Sequence, residues 1–384
     1  MKFYIIAGEA SGDLHGSNLM KGLYAQDPGA DIRFWGGEKM DAVYRAHQRG
    51  TGLVQDYRDG AVMGFWEVLL KARSLSRKLQ RCKADIAAWK PDVVILIDYP
   101  GFNFKVAEFA HDAGFTVYYY IAPKVWASRE GRIRKLKAYV DRLFIVFPFE
   151  IPYFQSKDVP FTYAGNPLVD AVDGSRALQE TRQEFLRRTG LPDAPWIAFL
   201  AGSRNMEISS MMPTFMEFAR RWHTQDPAMH FVVAAAPSRT LPDYAKYLDQ
   251  TDFVHVVFGE TYGVLRHARA AVINSGTASL EAALIGTPQM VAYKVAPMSA
   301  FIMRRIIKVK YVSLANLIID RLAFREFLQE NFTVNNLEAE MQRLLPDGPY
   351  REKMLQDYQE IRRLLGGTGA SEAVAMAMID GLKN

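Results

Sequence analysis

Short apolar runs alternate with helix-period stretches along most of this chain. Lys2–Ala7 (KFYIIA) reads as a buried strand, followed by the loop Gly8–Gly16 and a helical pattern through Leu14, Leu19 and Leu23. Further strands are predicted at Asp31–Trp35, Val93–Ile97 (VVILI), Thr116–Ile121, Asp141–Phe147 and Phe161–Ala164. Helical patterns lie between them, notably around Ala84–Lys90 and Phe104–Ala113. Strands apolar on both faces, alternating with helices, indicate a parallel sheet covered by helices. The pattern then restarts. Trp196–Ala201 (WIAFLA), His230–Ala235, Phe253–Val257, Ala270–Ile273 and Gln289–Tyr293 read as strands, Met211–Gln225 and Thr277–Ile285 as helices. The predicted fold is α/β, with two Rossmann-like parallel-sheet halves and a cleft between them. The boundary falls in Gly165–Arg188, which gives domains 1–168 and 169–365. Pro349–Leu382 is helical and amphipathic but broken at Gly366–Gly369. The last helix, 366–384, can therefore cross back onto the first domain or onto a neighbouring subunit.

Composition narrows the picture. A length of 384 residues fits two or three domains. Hydrophobic residues at 49% and charged residues at 23% exclude disordered and collagen-like chains. Cys82 is the single cysteine, which excludes an intrachain disulfide and cysteine-based zinc sites and suits a reducing cytoplasm. No signal-peptide pattern opens the sequence, and no apolar run reaches the ~18 residues of a membrane span. The net charge of +5 is too small to argue for nucleic acid as a partner.

Four places carry candidate chemistry. The loop Gly8-Glu9-Ala10-Ser11-Gly12-Asp13-Leu14-His15-Gly16 joins a strand to a helix, so free N–H groups and the helix dipole face a ligand position. It also fits a plain β–α turn, but such a turn does not need Asp13 and His15. Asp98 ends the most apolar strand of the first half, where partial desolvation raises a carboxyl pKa and suits a general base; an acid capping the next helix would occupy the same position. In the second half, backbone N–H groups of Gly202 and Ser203 are placed to hold phosphate oxygens, with Arg204 as a bidentate partner; an N-cap beside a surface arginine is the structural alternative. Asn274-Ser275-Gly276-Thr277 follows a strand and opens a helix, a natural diphosphate seat. Glu281, one turn on, can accept two ribose hydroxyls or belong to a capping box. No Asp-x-Asp, HxxxH or GxSxG occurs, so neither a magnesium-held sugar diphosphate nor a serine hydrolase is expected.

Two basic stretches combine apolar arcs with flanking cations. In Phe65–Lys83, Phe65, Trp66, Val68, Leu69, Ala72, Leu75 and Leu79 share one helical arc; Pro297–Lys310 is similar. Both fit helices lying on an anionic membrane, and both also fit core-facing helices with solvated lysines.

Several motifs together resemble the lipid-A-disaccharide synthases. They are GEASGDLHG, WGGEKM, VMGFWEVL, IDYPGFN, APKVWASREGR, FPFE, AGSRNMEI, SGTASLEAALIGTP, YVSLANLI and EFLQ, in the family's order and across nearly the whole chain. The resemblance implies a GT-B glycosyltransferase. It implies transfer of 2,3-diacylglucosamine from its UDP derivative to the 6-hydroxyl of 2,3-diacylglucosamine 1-phosphate, with inversion, giving a β-1,6 disaccharide 1-phosphate and UDP. No metal or other cofactor is expected. UDP is expected on the second half, with Glu281 on ribose, Ser275, Gly276 and Thr277 on the diphosphate, Arg204 neutralising the leaving group, and Asn316 and Gln329 lining the donor side. The acceptor is expected on the first half near Ser11, Gly12, Asp13 and His15, its acyl chains on the Phe65–Leu79 surface. Asp98 is the expected base, with His15 and Asp13 as alternatives. The implied location is cytoplasmic, at the inner membrane of a Gram-negative bacterium, and a homodimer is compatible. Ala201, Gly101, Asn166 and Ala315 depart from residues common in the family (proline, aspartate, histidine and proline). A UDP-N-acetylglucosamine 2-epimerase shares the twin-domain plan and is the rival reading, as is a non-catalytic UDP- or lipid-binding relative.

Overall fold

A computed structural model of the chain describes residues 1–48, 50–58, 67–248, 251–295 and 310–383, with side chains in the helix Glu67–Trp89 from Leu75 onward. Two units are formed, one from Met1–Ala171 with the C-terminal stretch from Leu365, the other from Val172–Leu364.

Among the described residues, the first unit holds a seven-stranded sheet, β1 (Lys2–Ala7), β2 (Asp31–Gly36), β3 (Leu53–Asp56), β4 (Val93–Ile97), β5 (Thr116–Tyr120), β6 (Arg142–Ile145) and β7 (Thr162–Tyr163). The order is β3-β2-β1-β4-β5-β6-β7 and every pairing is parallel. The second unit holds six strands, β8 (Trp196–Leu200), β9 (His230–Ala235), β10 (Val254–Phe258), β11 (Ala270–Asn274), β12 (Gln289–Tyr293) and β13 (Glu326–Leu328), in the order β10-β9-β8-β11-β12-β13, again parallel. β4 and β8 are buried along their whole length because each is central and covered on both faces, which is why VVILI and WIAFL carry no alternation.

In such sheets the strand order reverses at one point, and ligands bind beyond the C-terminal strand ends there. The reversal falls between β1 and β4 in the first unit and between β8 and β11 in the second. The loops after these four strands are Gly8–Glu9, Asp98–Tyr99, Gly202–Arg204 and Ser275–Gly276.

Most predicted strands are present within a residue or two. β3 and β13 are additional; each is a short, mostly half-buried edge strand, so neither shows an apolar run. The helix expected at Met211–Gln225 begins at Asn205.

The C-terminal helix Ala370–Lys383 packs on the helix Ala10–Gln26. A Cβ on Gly22 would lie 2.8 Å from Ala375 Cβ and 3.1 Å from the Ser371 carbonyl, so glycine sets the close approach. Asp170 caps this helix, accepting N–H bonds from Gly369 (2.6 Å) and Ser371 (2.8 Å). Asn166 donates its backbone N–H to the Leu365 carbonyl. These bonds hold residues up to Ala171 in the first unit, slightly beyond the boundary expected at 168.

Among the described residues no helix is long and apolar enough to cross a membrane. Of the two basic amphipathic segments, Phe65, Trp66, the side chain of Leu69 and residues 297–309 lie outside the described residues. Leu79 packs against the first core, whereas Leu75 is 37% exposed.

Candidate active site

The end of β4 is the most constrained point of the first unit. Asp98 and Tyr99 both adopt left-handed backbone, at φ 43° and 46°. Each such non-glycine residue is disfavoured by roughly 1–2 kcal/mol. The conformation is held by three bonds. The Asp98 carbonyl accepts from Asn103 Nδ2 (2.8 Å) and from the Tyr119 hydroxyl (2.6 Å), and the Asp98 N–H donates to the Tyr120 carbonyl (3.1 Å). Asn103 is fully buried and also donates to the Ile97 carbonyl at 3.2 Å. A side chain at Gly8 would strike the Tyr99 ring, so the β1 loop must carry glycine for the two loops to meet. Burial pushes the half-buried Asp98 carboxyl above its usual range; the Glu9 charge adds to the rise and Lys124 opposes it. A carboxyl with raised pKa at the strand-order reversal is suited to accept a proton.

Asp13 and His15 are used differently from expectation. The buried Asp13 carboxylate accepts N–H bonds from Gly37 (2.7 Å), Lys39 (3.1 Å) and Met40 (3.1 Å). It therefore caps the helix Glu38–His47 from outside, satisfying donors that every helix N-terminus leaves unpaired. At Gly37 of WGGEKM a Cβ would sit 2.4 Å from the Tyr57 ring and 3.0 Å from Asp13 Oδ2, so glycine is needed there. His15 is buried, its pKa is lowered to about 4 by desolvation, and its Nδ1 has no hydrogen-bond partner among the described residues. Both residues are buried, and the Asp13 carboxylate is engaged by backbone N–H groups. Ser11 is exposed in the first helical turn, and Gly12 packs against Ala7, where a Cβ would lie 3.2 Å from the alanine Cβ.

A buried acid missed by the sequence reading lies nearby. Glu150, in FPFE, accepts N–H bonds from Val146 (3.1 Å) and Phe147 (3.0 Å) and the Trp126 indole N–H (3.1 Å). It ties the loop after β5 to the end of β6. Burial raises its pKa to about 7 against the opposing effect of these bonds and of Lys124. Lys124 itself is exposed.

In the second unit, Gly202 has φ 98°, and a Cβ there would lie 2.6 Å from Asn274 Nδ2, so the loops after β8 and β11 are in close contact. The N–H groups of Ser203 (2.9 Å) and Arg204 (3.0 Å) both donate to Glu207 Oε2. The Ser203 N–H, expected to serve phosphate oxygens, is thus engaged by a carboxylate of the chain itself, which caps that helix end. The Arg204 side chain is 67% exposed, with Nη1 3.5 Å from Glu207 Oε1.

Gly276 is extended and precedes the helix Thr277–Ile285. Ser279 donates its hydroxyl to the Gly276 carbonyl at 2.9 Å. Glu281 does not take part in a capping box, the structural alternative to ribose binding. Its Oε1 accepts the Tyr262 hydroxyl at 2.8 Å, and burial raises its pKa despite that bond. Tyr262, on the short helix after β10, carries no motif signal and was not anticipated.

Asn316 and Gln329 also separate. Asn316 is fully buried and its amide is engaged, donating to the Phe324 carbonyl (3.1 Å) and Glu326 Oε1 (2.8 Å) and accepting the Ala323 N–H (2.8 Å). Glu326 further accepts the N–H groups of Val312 and Ser313 and the Ser313 hydroxyl. Asn316 thus links YVSLANLI to EFLQ and does not present an unengaged amide to a ligand. Gln329 is half-buried just beyond β13, with φ 52°, a conformation unusual for glutamine.

Comparison with known proteins agrees along the full length. A family model described as lipid-A-disaccharide synthetase matches residues 3–378. Among curated relatives, the lipid-A-disaccharide synthase of Geobacter metallireducens is 36% identical over 378 residues, covering 98% of this chain and 96% of that protein. The lipid-A-disaccharide synthase of Trichlorobacter lovleyi is 34% identical over 373 residues, covering 97% and 95%. Among solved structures, the UDP-GlcNAc 2-epimerase of Neisseria meningitidis bound to UDP-GlcNAc matches with a TM-score of 0.70 at 14% identity, over 99% of this chain and 100% of that one. At that identity the likeness concerns the fold, which is the twin-sheet plan shared by GT-B glycosyltransferases and these epimerases. With the synthase family matched from the first strand to the last helix, the chain belongs to the lipid-A-disaccharide synthetase family.

Proposed function

We propose that this protein transfers 2,3-diacylglucosamine from UDP-2,3-diacylglucosamine to the 6-hydroxyl of 2,3-diacylglucosamine 1-phosphate, with inversion. The first unit binds the acceptor. Asp98 takes the hydroxyl proton while the oxygen bonds to the anomeric carbon, and the bond from that carbon to the diphosphate breaks with its electron pair leaving on UDP. One carboxylate and no covalent intermediate suffice for a single inversion. The second unit binds UDP. Glu281, held by Tyr262, receives the ribose hydroxyls, the Ser275-Gly276-Thr277 turn seats the diphosphate, and Arg204 offsets its growing charge. Gln329 lines the donor side, and Asn316 acts there through Glu326 and Ser313. No metal or cofactor takes part in this scheme.

The observation that carries the reading is Asp98, a carboxyl of raised pKa on a strained turn at the strand-order reversal. The epimerase alternative is set aside because the curated synthases match in sequence along the whole chain, while the epimerases share the fold at 11–15% identity. For the membrane, Leu75 and Arg77 are exposed together on the helix Glu67–Trp89, which supports peripheral association with an anionic cytoplasmic surface.

Steady-state assay of Asp98→Asn and Arg204→Ala with both diacyl substrates tests the scheme. Loss of the base lowers kcat by ~10²–10⁴. Near wild-type turnover for Asp98→Asn removes it from that role, and a requirement for divalent ions in chelator-treated assays overturns the metal-free mechanism. Leu75→Ser is expected to reduce sedimentation with anionic vesicles.

A further inference from the structure

We propose that Arg239 is a second diphosphate-binding residue, acting beside Arg204; this rests on the UDP reading of the second unit. Arg239 lies in the loop after β9, next to β8 in the sheet. Its Nε donates to the Ser203 carbonyl at 2.6 Å and its Nη1 to Asn205 Oδ1. Two anchors fix the guanidinium plane against the loop Gly202–Asn205, and Nη2 has no hydrogen-bond partner among the described residues. A guanidinium fixed in this way keeps its charge and a remaining donor edge, without the ordering entropy a mobile side chain would lose on binding.

The need for such a cation follows from Glu207. That carboxylate takes the N–H groups of Ser203 and Arg204 and offsets part of the positive potential of the helix end, so two backbone donors of this loop are already engaged. Cationic side chains at the loop then carry a larger share of what it offers a diphosphate. Arg204 is itself part of the loop after β8, whereas Arg239 reaches that loop from the loop after β9. One guanidinium thus belongs to the loop after β8 and the other to the loop after β9, and the two can meet different oxygens of one diphosphate, the group whose charge grows as the glycosidic bond to it breaks.

Ligand-observed NMR titration of UDP and uridine with wild type, Arg239→Ala and Arg239→Gln tests this. Both variants are expected to weaken UDP by about ten- to a hundredfold, the range of a charged hydrogen bond, and to leave uridine unchanged within about twofold. Equal weakening of UDP and uridine would mean that Arg239 only supports the loop, and overturns the proposal. So does UDP affinity unchanged in both variants. Arg239→Gln keeps a hydrogen-bonding side chain for the anchors if the alanine variant unfolds. Failure of wild type to bind UDP would instead overturn the UDP reading itself.

Discussion

The hydroxyl of Tyr262 donates to Oε1 of Glu281 at 2.8 Å, from a helix on the other side of β11 in chain order. The bond selects one orientation of the carboxylate; on the proposed reading, the carboxylate so held receives the ribose hydroxyls. Tyr262→Phe keeps the ring and removes the donor. KM for the UDP-sugar is expected to rise about tenfold with kcat nearly unchanged, since the interaction is made equally in ground and transition states. A fall in kcat at constant KM would contradict a role in ribose binding.

His15 makes stability depend on pH. In the folded protein burial lowers its pKa to about 4, whereas an unfolded histidine titrates near 6.5. Between these values the unfolded state binds a proton that the folded state does not, so stability rises with pH across this window and falls on acidification. The full effect is about 3 kcal/mol. Urea unfolding at pH 7 and pH 4.5 should show a smaller loss on acidification for His15→Gln than for wild type. An equal loss in both would mean His15 is not the group responsible.

Glu150 should be visible spectroscopically. Its carboxyl titrates at about 7 and accepts the Trp126 indole N–H. Protonation weakens that acceptor, so tryptophan emission is expected to change with a midpoint near 7 in wild type and to lose that transition in Glu150→Gln and in Trp126→Phe. A transition that persists in both variants would assign it elsewhere.

Gly22 sets the docking of the last helix. Gly22→Val places its side chain against Ala375 and the Ser371 backbone, where a Cβ alone already lies within 2.8 Å. Overpacking of this kind destabilises by roughly 1–3 kcal/mol. Limited proteolysis should then cut near Gly366–Gly369 faster than in wild type, and unchanged protection would show that the helices adapt.

Much of the fold was legible because local periodicity reports burial. KFYIIA, VVILI and HFVVAA match β1, β4 and β9 residue for residue, and the break at Gly366–Gly369 separates two helices. The edge strands β3 and β13 were not legible, since a half-buried edge has no apolar run to display. Within the candidate site, Asp98, Arg204 and Glu281 stood out by position after strands. Asp13 also stood out, but its carboxylate serves a helix end 24 residues away.

By itself the sequence determined which segments are strands and helices, that they form two parallel-sheet units, and the family, because burial imposes its period on neighbouring residues. Only the tertiary structure decided what each polar group does. Tyr262 meets Glu281 across 19 residues and Arg239 meets Ser203 across 36, while Glu207 fills the turn expected to receive phosphate. A hydrogen bond depends on where two backbones arrive in space, and strand order, not spacing along the chain, sets that arrival.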